Sequence, residues 1–202
     1  DRLAKIFTEL GYVCVNLTYR TPRPEGLPIY QSAWQDGQRA VRLIRRAAKD
    51  RGFDPEKIGA IGFSAGSHMT VLLGSSSLTP AYQPIDELDK LPCHINLAIP
   101  VYTAYALTDG LTGRNTRDGD SIDVKLTDAF KFDANTCPMT LFHGGTDAYS
   151  PNGSIQIYRE LRRRNIPDEI HLFADRGHGF MGDPNKGQNG TAFDHWIDSI
   201  TE

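Results

Sequence analysis

The chain has 202 residues, with 22 basic and 25 acidic side chains and a formal net charge of −3. That length suits one α/β domain, and the near-balance of charge gives no reason to expect nucleic acid or an anionic membrane as a partner. No apolar run is long enough to span a bilayer, and three cysteines, Cys14, Cys93 and Cys137, are too few for a disulfide framework.

Buried free thiols are the expectation for the cysteines, the alternative being one bridge between Cys93 and Cys137. The chain opens at Asp1, without a methionine, and is read as processed or truncated, so the lack of a visible signal peptide leaves its compartment open.

Residues 3–10 have helical spacing of apolar side chains, and Gly11 stops them. Residues 12–19, rich in β-branched and aromatic types, read as a buried strand. Three prolines and a glycine make 21–28 a loop. The longest helix spans 30–51, apolar at Ala33, Trp34, Ala40, Val41, Ile44 and Ala48, and Gly52 ends it. A strand over 58–63 runs into a helix over 65–73. Residues 75–91 are irregular and 94–101 form an apolar strand. Residues 102–134 are polar, rich in Gly and Asp and without a clear period, and are expected to form a lid or insertion. A strand at 139–143, a helix at 152–164, a strand at 169–173 and a closing helix at 191–200 complete the chain. Strands separated by helices imply right-handed crossovers and a mostly parallel sheet with helices on both faces, in a single domain over 1–202.

The most informative stretch is Gly62-Phe63-Ser64-Ala65-Gly66. A serine on a sharp strand-to-helix turn tolerates little bulk nearby, hence the flanking glycines. The turn would aim the Ser64 hydroxyl at a helix N-terminus, where the Ala65 N–H can receive an oxyanion. In an open parallel sheet, ligands bind beyond the carboxyl ends of the strands. Asp147 follows the strand at 139–143 and His178 follows the one at 169–173. Ser64, Asp147 and His178 thus come in the order nucleophile, acid, histidine. His178 would take the Ser64 proton and Asp147 would orient the imidazole.

Other candidates fit less well. His68 lies one helical turn beyond Ser64 and points along the helix. His143 precedes a glycine pair and reads as a structural turn. His94, His171 and His195 read as structural or solvent-facing, and Asp175 as a loop or cap residue. Asp118, Asp120 and Asp123 lack the glycine and terminal glutamate of a calcium loop.

Tyr19-Arg20, the proline-rich loop, Gln35-Asp36 to Arg42, Gly62 to His68, His143-Gly144 to Asp147, and Arg176-Gly177-His178-Gly179-Phe180 resemble bacterial α/β-hydrolase esterases that act on plant polysaccharides, of the acetylxylan-esterase and feruloyl-esterase type. The resemblance covers nearly the whole chain. It implies an α/β-hydrolase fold, Ser64, Asp147 and His178 as the triad, deacylation of acetylated or feruloylated sugars, no cofactor and no metal, and an extracellular or periplasmic setting. Ser67 stands where such proteins often have a third glycine.

In that family the front strands lead to a glycine-rich loop whose N–H is a second oxyanion donor, and one strand lies between those corresponding to 12–19 and 58–63. The expectation is therefore an N-terminally truncated fold with a gap between those two segments. Tyr102, Tyr105 and Tyr149 are candidates for stacking on a sugar or an aromatic acyl group, with core packing as the equal alternative for each. A serine peptidase on the same fold, or an inactive hydrolase-like binding module, are the competing readings.

Overall fold

A computed structural model of the protein describes residues 2–21, 25–121 and 123–180. The expected helix at 191–200 and His195 lie outside the described residues. Along the described chain the elements are α1 (Arg2–Glu9), α2 (Gln31–Arg51), β1 (Gly59–Phe63), α3 (Ala65–Ser75), a 3-10 turn (Glu87–Lys90), β2 (Leu97–Val101), β3 (Leu107–Asp109), β4 (Asn115–Thr116), β5 (Val124–Leu126), β6 (Met139–Gly144), α4 (Asn152–Arg163) and β7 (Asp168–Phe173).

The main sheet has the order β1-β2-β6-β7, and all three pairings are parallel. Parallel strands need crossover connections, and α3 and α4 supply two of them, leaving the intervening strands apolar on both faces. Alternation along the strands divides the core into two clusters. On one face Ala98, Met139 and Leu141 pack with α2, α3 and α4 through Trp34, Val41, Leu72, Ile157 and Leu161. On the other, Ile99, Val101, Tyr102 and Phe142 are joined by Leu3 of α1, Phe173 and Phe180.

Helix α3 is buried from Gly66 to Ser75, and two glycines explain how closely it is held. A Cβ on Gly74 would lie 3.0–3.1 Å from Met139, Ala98 and Cys137, and one on Gly37 of α2 would lie 3.0 Å from Met69. Cys93 and Cys137 are buried free thiols, and burial pushes the Cys137 thiol up to about 12.

Residues 12–19 correct the reading of a buried strand. They form no strand, and Tyr12, Val13 and Val15 are 61%, 57% and 58% exposed. Strand-forming side chains become a strand only against a partner edge. Among the described residues β1 is an edge strand that pairs with β2 alone, and no ladder reaches 12–19. From this stretch Leu17 and Tyr19 pack against the core. The Arg20 guanidinium then forks onto Asp36 of α2, with contacts of 2.7–3.1 Å, and its own N–H donates to the same carboxylate at 2.8 Å.

Residues 102–134 are less irregular than their polarity suggests. β3, β4 and β5 make a small antiparallel sheet in the order β4-β3-β5. It is tied to the start of α4, where Asn152 Nδ2 donates to the Gly119 carbonyl at 2.7 Å.

Candidate active site

Strand β1 ends at Phe63 and α3 begins at Ala65, so Ser64 alone makes the turn. Its φ of 56° lies in the left-handed region, a conformation that strains a non-glycine residue. The two flanking glycines serve different ends. A Cβ on Gly62 would sit 2.3 Å from the Gly66 carbonyl oxygen and 2.3 Å from Thr70 Oγ1, an impossible approach. On Gly66 the nearest atom would be the Tyr19 hydroxyl at 3.6 Å, which is ordinary contact. Gly62 therefore lets the turn close, while Gly66 leaves room above the helix N-terminus. The turn is held by the Ser64 N–H donating to Val101 O at 3.1 Å and by the N–H groups of His68 and Ala104 donating to Ser64 O at 3.3 Å.

The loops after β6 and β7 are packed backbone to backbone. Gly145 N–H donates to Phe173 O at 2.7 Å and Thr146 N–H to Arg176 O at 3.0 Å. A Cβ on Gly144 would lie 2.2 Å from Arg176 O, so the glycine there permits this close approach. The consequence is a line of three side chains. Ser64 Oγ is 2.7 Å from His178 Nε2, and His178 Nδ1 is 2.9 Å from both carboxylate oxygens of Asp147. With Nδ1–H donating to the carboxylate, Nε2 is free to accept from the serine hydroxyl.

The Asp147 side chain is fully buried. Burial alone would raise its pKa, but hydrogen bonds from His143, the Tyr149 N–H and His178 outweigh it and hold the carboxyl below its ordinary value. Asp175, the competing acid, is 79% exposed and lies 3.5 Å from Arg176.

His143 does more than shape a turn. It is fully buried at the end of β6, and its Nε2–H donates to Tyr149 O at 2.9 Å while lying 3.4 Å from Asp147 Oδ2. Its Nδ1 accepts from the Ser154 hydroxyl at 2.8 Å. The available signal was its position four residues before Asp147. His68 is buried away from the serine, stacked on Tyr30 and against Phe130, with Nδ1–H donating to Ala104 O at 3.2 Å. Burial pushes its pKa down to about 4.

The three tyrosines named from sequence all reach this region. Tyr102, with a φ of 39°, is buried and meets the His178 ring edge-on at 5.0 Å. Tyr149 tilts against the same ring at 5.1 Å and meets Tyr105 edge to face at 5.3 Å. Ala65 is exposed as the first residue of α3, where a helix leaves its N–H without an intrahelical partner. Among the described residues no cluster of three or more His, Cys, Asp or Glu side chains is arranged to hold a metal ion.

Residues 1–161 match the family model described as BD-FAE. Among curated proteins, Esterase LipQ of Mycobacterium tuberculosis is 33% identical over 102 residues, covering 50% of this chain and 23% of its own length. Endo-1,4-beta-xylanase B of Butyrivibrio fibrisolvens is 28% identical over 183 residues, 86% of this chain and 28% of its own. The chain thus spans less than a third of the length of these curated relatives. Among solved structures, an acetyl ester-xyloside bifunctional hydrolase from Caldicellulosiruptor lactoaceticus superposes with a TM-score of 0.71 at 21% identity, over 99% of this chain and 76% of its own. A thermophilic esterase from Thermogutta terrifontis gives 0.65 at 22%, over 84% and 63%. Both likenesses establish the α/β-hydrolase fold.

Proposed function

The chain belongs to the BD-FAE family, and on that premise we propose that it hydrolyses carboxylic esters through an acyl-enzyme on Ser64. The observation that carries the reading is the 2.7 Å contact between Ser64 Oγ and His178 Nε2, with Asp147 on the far ring nitrogen. As Ser64 Oγ attacks the acyl carbon, His178 Nε2 takes its proton, and buried Asp147 stabilises the resulting imidazolium. The Ala65 N–H faces the developing oxyanion. His178 then protonates the departing alcohol. A water attacks the acyl group by the same route in reverse, releasing the acid and restoring the serine.

The natural substrates are acyl esters of plant polysaccharide, acetyl or feruloyl. Support comes from the motifs quoted above, a xylanase relative and a xyloside-hydrolase structural neighbour. Residues 102–134, with Tyr102 and Tyr105, together with Tyr149, form the wall over the serine. The test is steady-state turnover of acetyl, butyryl and feruloyl esters and acetylated xylan by wild type and Ser64→Ala. Turnover that depends on Ser64 is expected, with acetylated or feruloylated carbohydrate preferred. Equal rates in both proteins would overturn the reading.

A further inference from the structure

A cavity of about 420 Å³ shares a wall with the Ser64–His178–Asp147 line, and Tyr105, Arg114, Asn115, Arg117 and Tyr149 are among the residues around it. Tyr105 follows Ala104, whose N–H holds the Ser64 carbonyl, and Tyr149 packs against His178. A group attached to an ester carbonyl at Ser64 therefore has this cavity as its neighbour.

Its chemistry is distinctive. Two arginines, Arg114 and Arg117, are among its lining residues and no acidic residue is. The Arg117 guanidinium lies 4.5 Å over the Tyr149 ring and donates to the Tyr149 hydroxyl at 3.2 Å, which fixes the fork in place. The carboxylates nearest in the chain, Asp109 and Asp118, are not among the lining residues and accept backbone N–H groups of their own loop. Asp109 accepts the N–H groups of Leu111 and Thr112 at 2.7 and 2.9 Å, and Asp118 accepts that of Asp120 at 2.9 Å. The cavity is far larger than an acetyl group and falls in the range, about 300–1,000 Å³, of sites for whole small molecules.

We infer that this cavity is a subsite for an acidic sugar, a uronic acid unit beside the acylated residue of the polysaccharide. Arg114 and Arg117 take its carboxylate, since the planar guanidinium fork matches that group in geometry as well as charge. Tyr105 supplies apolar surface for the sugar ring. The inference rests on the esterase reading and names the class of polymer it serves: acylated chains that carry uronic acids.

The test compares kcat/KM within each protein for acetylated xylo-oligosaccharides with and without a glucuronic acid branch, beside p-nitrophenyl acetate and mono-p-nitrophenyl succinate. Wild type should favour the acidic oligosaccharide by about tenfold, carried by KM, and the preference should shrink as salt rises. The ratio should fall to near parity in Arg114→Ala and in Arg117→Ala, and below parity in Arg114→Glu. Each ratio is taken within one protein, so a change in basal rate cancels.

In parallel, the Ser64→Ala chain is titrated by calorimetry with the unacetylated oligosaccharides, and tighter binding of the acidic one is expected. Parity in wild type, or a preference that survives both arginine substitutions, would overturn the subsite. A preference for the succinyl ester with none for the acidic oligosaccharide would also overturn it, by moving the carboxylate to the acyl side. Absence of Ser64-dependent turnover of p-nitrophenyl acetate, with the calorimetric preference intact, would instead sink the esterase reading and leave the subsite standing.

Discussion

His178 Nδ1 faces a carboxylate that is also held by the Tyr149 N–H and by His143. Asp147→Asn should keep the fold and remove the group that selects the Nδ1–H tautomer, lowering kcat on p-nitrophenyl acetate by about 10³–10⁴. His143→Phe should have a subtler effect. It leaves the Tyr149 carbonyl and the Ser154 hydroxyl unpaired in the interior, at a cost of about 1–3 kcal/mol, and it loosens Asp147. A fall in both the urea midpoint and kcat, with KM little changed, is expected; an unaltered kcat would show that His143 supports only the fold.

Burial keeps His68 neutral to a lower pH than a surface histidine. Above its ordinary value of 6.5 it is neutral in the folded and unfolded chains alike. Between 6.5 and about 4 the unfolded chain binds a proton that the buried ring refuses. Stability therefore falls as pH falls through that window, by on the order of 3 kcal/mol at its lower end. Asp147, depressed below its ordinary value, contributes stability that disappears only at still lower pH. Urea midpoints at pH 7 and pH 4.5 should differ in wild type and differ much less in His68→Gln. Equal slopes in the two proteins would exclude His68 as the source.

At the scale of elements, the strand–turn–helix unit was fully legible, because an apolar run, a glycine-bounded serine and a helical pattern agree on one local structure. The two glycines were not distinguishable in sequence, and they should behave differently on substitution. Gly62→Ala drives a Cβ into the backbone of α3 and should destabilise by about 3 kcal/mol or more, with loss of activity. Gly66→Ala has space and should fold, its effect appearing in catalysis because the added methyl enters the region above the Ala65 N–H. Thermal melts and turnover of both variants check this, and a well-folded, active Gly62→Ala would refute the account of the turn.

Residues 12–19 show the limit of local reading. Their composition favours a strand, but a strand needs a ladder to a partner edge, and among the described residues no strand pairs with 12–19. The strands β3, β4 and β5 were hidden for another reason: two or three residues each, in a polar run, carry too little alternation to register. His143 was legible as a residue but not as a role, since its neighbours Ser154 and Tyr149 come from the following loop and helix.

At the scale of the whole molecule, one short stretch among the described residues carries several exposed apolar side chains. Leu10, Tyr12, Val13 and Val15 are all more than half exposed, and β1 has a neighbour on one side only among the described residues. Extended apolar segments and unpaired edges invite self-association. Val13→Lys combined with Val15→Lys should raise the concentration at which light scattering begins, and unchanged scattering would place the sticky surface elsewhere.

In the mechanism proposed above, Ser64 carries the acyl group between two half-reactions. Rapid mixing with p-nitrophenyl acetate, followed by acid quench and peptide mass analysis, tests it directly. Covalent catalysis at Ser64 requires a burst of p-nitrophenol stoichiometric with active chain, acetyl on the peptide that contains Ser64, and neither signal in Ser64→Ala. Turnover without an acetylated Ser64 peptide, persisting at the wild-type rate in Ser64→Ala, would contradict it.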